Sequence, residues 1–230
     1  MSDLATMTWP ESDQLSNSVL VIPLGATEQH GPHLPLDTDS RIALALANEL
    51  ARRVTEVVVA PVVAYGSSGE HGGFTGTLSI GQAAFELLVI ELVRSADDWG
   101  GVVLLCGHGG NTAPLKRAVD LLISEGRHVM AWHPRLPPGE GDAHAGRTET
   151  SLMLAITPEL VRLDKARPGS TEPLSTIAKT LQTKGVKAVS PNGVLGDPIG
   201  ASPEEGRVLF GTLSKNLEKA VTAWRSQLLP

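Results

Sequence analysis

The sequence is poor in aromatics, which make up 3% of its 230 residues, and it holds a single cysteine. Few aromatic rings leave few platforms for stacking bases, and a net charge of −6 disfavours phosphate backbones and anionic membranes as partners. One cysteine excludes an internal disulfide framework and suits a reducing compartment. No apolar run approaches the ~18 residues of a membrane span. The start, MSDLATMTWPESDQ, has neither a basic cluster nor a signal-like apolar stretch. These absences predict a cytoplasmic globular protein that binds neither nucleic acid nor membrane. GxSxG, GxxxxGK[ST] and GxGxxG are also missing, which disfavours a serine elbow and a nucleotide cradle.

Short apolar runs rich in β-branched residues are present instead. SVLVIPL (18–24), EVVVAPVV (56–63), GVVLLCG (101–107) and RHVMAWH (127–133) read as strands buried on both faces. Helical patterns lie between and after them, at 39–53, 81–98, 112–125, 148–156 and 203–228. Thr112 and Thr148 are the expected N-caps of the third and fourth, Gly126 ends the third, and Pro158 stops the fourth. The alternation predicts one α/β domain over 1–230, a three-layer, mostly parallel sheet with helices on both faces. The segment 157–202, rich in proline, glycine, serine and threonine, reads as a long functional or interface-forming loop.

In such a sheet ligands bind outside the carboxyl ends of the strands. Six of the seven histidines, all but His128, fall in the loops that follow the four strands, so those loops are expected to converge on one site. The stretch GATEQHGPHLPLDTDS (25–40) supplies Glu28, His30 and Asp39, a donor set suited to zinc, iron or manganese. Its plainer reading is a polar turn with Asp39 as a helix cap and His30 and His33 solvated. In CGHGGNTAP, His108 follows the third strand among glycines that let a ligand approach. In DAHAGRTETS, His144 and Glu149 flank a loop-to-helix boundary, where Glu149 alone reads as a first-turn carboxylate favoured by the helix dipole. SSGEHGGFTGT carries Glu70 and His71 in a glycine-rich loop, with a structural or a substrate-contacting role. Cys106 ends a buried strand and reads as a small apolar group. Metal-activated water is the better chemistry.

GATEQHGPHLPLDTD, EHGGFTGTLS, GHGGN, HAGRTETSLML and GVLGDPIGAS resemble, in order, the successive motifs of the creatininase (creatinine amidohydrolase) family, from about residue 20 to 205. The resemblance implies an α/β fold, homo-oligomers, a two-metal site (Fe²⁺, Zn²⁺ or Mn²⁺) and hydrolysis of amide-type C–N bonds. It assigns Glu28 and His108 to one metal, His30 to the other and Asp39, not Asp37, to both. Two features depart from creatininase itself. Gly110 stands where creatininase has a glutamate, which makes Glu149 the candidate replacement ligand. PRLPPGEGDA lacks the tryptophan of creatininase's flap, which argues against creatinine as substrate. Arg147 most resembles the branch encoded with mycofactocin biosynthesis, whose members release the C-terminal Val–Tyr-derived dipeptide from a modified ribosomal precursor peptide. On this reading His144 is the general acid for the leaving nitrogen. His71 and Arg147 contact substrate, Arg147 by a fork to a carboxylate. A formamide deformylase of flavin or deazaflavin synthesis, or a hydrolase of creatinine-like cyclic amides, would share the ligands. A non-catalytic metal-binding subunit is the alternative from another class.

Overall fold

The computed structural model describes residues 2–136 and 141–228. Its strands are β1 (Ser2–Asp3), β2 (Val19–Leu24), β3 (Val57–Val59), β4 (Gly101–Cys106) and β5 (Val129–Trp132). They pair in the order β1-β3-β2-β4-β5, every pair parallel. The helices are α1 (Trp9–Asp13), α2 (Thr38–Arg53), α3 (Gly81–Arg94), α4 (Thr112–Ser124), α5 (Arg147–Ile156), α6 (Leu174–Lys184), α7 (Val186–Val189) and α8 (Pro203–Arg225). None of the helices among the described residues is long and apolar enough to cross a membrane.

Side chains alternate across a strand, so each strand feeds two cores. Val19, Val21, Val103 and Leu105 face α2, α5 and α8, where they meet Leu46, Met153, Leu213 and Leu217. Leu20, Ile22, Val102 and Leu104 face the other way, onto Phe85 and Val89 of α3 and Leu115 and Leu122 of α4. The three-layer reading holds. Burying each such Leu or Val contributes roughly 1.5–3 kcal/mol. That surplus lets the fold carry a cluster of buried ionisable groups at the strand ends, a costly arrangement in itself.

The differences from the sequence reading have local causes. β3 stops at Val59, before Pro61, which has no N–H for a ladder, although Val63 regains one bridge to Leu24. The third helix begins at Thr112, so Asn111 and not Thr112 is its N-cap; Gly126, at φ +83°, does follow its end. In the fourth, the helix begins at Arg147 and Thr148 lies inside its first turn. The orphan N–H groups of Arg147 and Thr148 donate to the Asp142 carboxylate instead. The segment 157–202 is not one loop, since it contains α6 and α7.

Candidate metal centre

Strand ends deliver the cluster. Glu28 and His30 follow β2, Asp39 lies in the first turn of α2, His108 follows β4, and His144 with Glu149 brackets the start of α5. Glu28, His30, Asp39, His71, His108 and His144 are all buried. Asp39 stands at the middle. Its Oδ1 lies 3.1 Å from His30 Nε2 and its Oδ2 3.2 Å from His108 Nδ1. Glu28 Oε2 is 3.2 Å from His108 Nε2, and Glu149 Oε2 is 4.0 Å from His30 Nε2. Two sets of ligand atoms therefore share this neighbourhood, Glu28/Asp39/His108 and His30/His144/Glu149, and a third grouping joins Glu28, His71 and His144. Asp37 is elsewhere, accepting a bond from Arg41 at 2.8 Å.

The residues fit divalent ions. Glu28 is wholly buried, yet neither of its carboxylate oxygens has a hydrogen-bond partner, and Asp39 Oδ2 has none either. Buried carboxylate oxygens left without donors cost several kcal/mol unless a cation meets them. The histidines are oriented as ligands commonly are, with one nitrogen tied to a carbonyl and the other facing inward. His30 Nδ1–H donates to the Glu28 carbonyl (3.1 Å), and His108 Nε2–H donates to that of Ser67 (2.9 Å).

Electrostatics point the same way. Burial opposes a charge on His30, but Asp39, Glu149 and Glu28 outweigh it and raise its pKa to about 10. His108 is raised as well, with Glu28 and Asp39 overcoming burial. Burial lifts Glu149 to about 7, aided by Asp39 and opposed by His30. Protons thus occupy the places that cations would take. Burial lowers His144 well below its usual range and takes His71 to about 4, so both rings are neutral. Cys106 is inert, its thiol pushed up to about 11 by burial.

Backbone strain marks the same place. Ala145 has φ +52° and lies between His144 and Gly146, while its N–H donates to Glu149 Oε2 at 2.6 Å. His144 is held on both sides of its backbone by Leu195. The glycine-rich stretch around 193–196 is therefore a wall of the site.

The convergence of loops includes His33, whose Nε2 donates to Thr150 Oγ1 at 2.9 Å and ties the 28–33 turn to α5. His33 is buried, not solvated. His133 faces a smaller adjoining cavity of about 350 Å³ with Asp142 and Glu149. Residues 137–140 of the tryptophan-free segment lie outside the described residues. Arg147 is not brought to the cluster. Its guanidinium is exposed and pairs with Glu205 of α8 at 2.8 Å.

Glu70 and Gln29, neither of them among the expected ligands, also adjoin the cluster. A Cβ on residue 110 would stand 2.2 Å from Glu70 Oε1. The Glu70 carboxylate therefore fills the space beside Gly110, 3.7 Å from His108 Nε2. The Gln29 side chain reaches His71, His144 and Gly193 at 2.9–3.0 Å. A cavity of about 1140 Å³ opens onto the cluster, walled by Leu174, Leu181 and Val186 of α6 and α7 and by the 69–72 turn.

Comparison with known proteins agrees with this geometry. The chain is 45% identical to "Mycofactocin precursor peptide peptidase" of Mycobacterium tuberculosis (strain ATCC 25618 / H37Rv), with 99% of this chain and 93% of that protein covered. Against "Creatinine amidohydrolase" of Pseudomonas putida the identity is 27%, covering 94% of each. A solved structure described as "Creatininase Mn" superimposes with a TM-score of 0.81 at 26% identity, covering all of both chains. The creatininase family pattern, described as creatinine amidohydrolase, matches residues 5–221. With that match and this site, the chain belongs to the creatininase (creatinine amidohydrolase) family.

Proposed function

We propose that this chain is a dinuclear metal-dependent peptidase that releases the C-terminal Val–Tyr-derived dipeptide from the modified mycofactocin precursor peptide. The observation that carries the reading is the 45% identity over 99% of the chain to a mycofactocin precursor peptide peptidase, against 27% to a creatinine amidohydrolase. The cavity of about 1140 Å³ supports it, being larger than a small cyclic amide requires. Contributions to one centre from residues 28 to 149, with a wall from 193 to 196, support reading 1–230 as one domain. The same reading includes a cytoplasmic, homo-oligomeric protein.

Glu28, Asp39 and His108 would hold one divalent ion, and His30, Asp39 and Glu149 the other, with Asp39 common to both. Fe²⁺, Mn²⁺ and Zn²⁺ all suit this carboxylate–imidazole set. Such ions supply polarisation of the scissile carbonyl and an acidified water. The chain supplies the proton traffic. His144 Nε2–H donates to the Gln29 carbonyl at 2.8 Å, which leaves Nδ1 bare and facing Glu28 Oε1 at 3.9 Å. That nitrogen collects a proton from the water and delivers it to the leaving nitrogen as the C–N bond breaks. His144→Ala should keep the fold and lower kcat by ~10²–10⁴-fold. Arg147, engaged by Glu205, has no substrate role in this scheme.

The test is mass spectrometry of the modified precursor peptide after incubation with metal-loaded protein, with creatinine and a formamidopyrimidine assayed in parallel. Release of the dipeptide-derived fragment, with the two small substrates left intact, is the expected result. Ring opening or deformylation with an intact precursor would move the assignment to another branch of the family. No turnover of any of the three would favour a non-catalytic subunit.

A further inference from the structure

Glu28, His71 and His144 group closely enough to resemble a third set of metal ligands. The hydrogen bonds around Gln29 give His71 a different role. The orientation of its carboxamide is fixed, because the Gly31 N–H can only donate and meets Gln29 Oε1 at 2.9 Å. Nε2 therefore carries two N–H groups and faces three atoms, the Gly193 carbonyl at 3.0 Å, His71 Nδ1 at 2.9 Å and His144 Nε2 at 3.0 Å. His144 Nε2 already carries a proton, which it gives to the Gln29 backbone carbonyl at 2.8 Å, so it cannot accept. The two amide protons go to Gly193 and to His71 Nδ1. An accepting Nδ1 is bare, and the single proton of a neutral His71 ring is then on Nε2, which faces Glu28 Oε1 at 3.1 Å and the cavity.

Position 193 is shaped for this arrangement. A Cβ there would stand 1.8 Å from Gln29 Oε1, and Gly193 has φ +84°. The PNGVLG stretch thus makes room for the carboxamide and supplies one of its acceptors.

We infer that Gln29 is a positioning residue that locks His71 in the tautomer with its proton on Nε2, so that His71 serves the centre as a hydrogen-bond donor and not as a metal ligand. The donor stands beside Glu28 without bonding to it and faces the cavity, where an amide substrate's carbonyl oxygen would develop charge.

Histidine-labelled, Zn²⁺-loaded protein reports the tautomers directly through long-range ¹H–¹⁵N spectra. Wild type should show His71 with hydrogen on Nε2. Gln29→Glu, which accepts where glutamine donates, should move the hydrogen to Nδ1. Gln29→Met, uncharged and of similar size, should leave a mixture, and it serves if the glutamate variant folds poorly. His144 should keep its Nε2–H in both, because its partner is backbone. On the precursor peptide both variants should lose about tenfold or more in kcat, with KM and zinc content little changed. Hydrogen on Nδ1 of His71 in the wild type would overturn the inference. So would an unchanged His71 tautomer in both variants, or zinc loss in step with activity. Only the kcat readout rests on the proposed function. A wild type that leaves the peptide uncut while showing these tautomers would sink that reading and spare this one.

Discussion

At the scale of single residues, the site is a balance between burial and charge. Glu149 shows how context sets a role. Alone it is a first-turn carboxylate worth at most ~1 kcal/mol to its helix; beside His30 at 4.0 Å it becomes the counterpart of Asp39. Glu149→Gln should weaken the ion at His30 by about tenfold or more and spare the ion at Glu28 and His108, as read by elemental analysis after dialysis. Equal retention of both ions would return Glu149 to a helix-end role. The raised pKa values of His30 (about 10), His108 and Glu149 (about 7) give a pH dependence. At neutral pH these groups hold protons that entering cations must displace. Metal affinity should therefore rise with pH from 6 to 8 and fall on acidification. Calorimetry in buffers of different ionisation enthalpy should detect proton release on metal binding, because the raised pKa values of His30, His108 and Glu149 keep protons at the site that the cations displace. No proton release would contradict this electrostatic account. Glu28, His30 and His108 were legible because each sits in a short motif just after a strand, and Asp39 because it closes the first of those motifs at the start of α2. The Gln29–His71 pair and the Glu70 carboxylate beside Gly110 were not, since they depend on how the 67–77 loop folds against residues far away in the chain.

At the scale of elements, the second ligand set depends on where α5 lies. α5 packs on α8, and Gly206 allows the contact, because a Cβ there would stand 1.8 Å from the Ser151 carbonyl oxygen. Arg147 and Ser151 of α5 both reach Glu205 in the first turn of α8, which fixes the pair lengthwise. Gly206→Val should push the helices apart at a cost of roughly 1–3 kcal/mol, or about 2–12 °C in Tm. Because Glu149 moves with α5, ion loss should begin at His30 and Glu149. A destabilised variant with both ions bound normally would separate helix packing from the site. The four longer strands were legible from their apolar runs, although β5 lies at the sheet edge and fully buries only Val129, and α8 was legible from its start at Pro203. α6 carries an apolar stripe, Leu174, Ile177 and Leu181, at helical spacing, but it is short and follows Pro173 inside a segment rich in proline, glycine, serine and threonine, whose composition reads as loop. β1 spans two residues, too short for any pattern.

At the scale of the molecule, the fold brings loops from four strands to one edge of a parallel sheet, and the cavity above them is walled in part by helices that come late in the chain. The architecture followed from alternation alone, whereas the cavity wall, built of α6 and α7, did not. Two ions sharing Asp39 would make this edge a hydrolase. Chelator-stripped protein titrated with Mn²⁺ or Zn²⁺ while cleavage of the modified precursor peptide is followed by mass tests it most directly. Cleavage should be absent without metal and should rise until two equivalents per chain are bound. A break at one equivalent, or cleavage that survives complete metal removal, would contradict it.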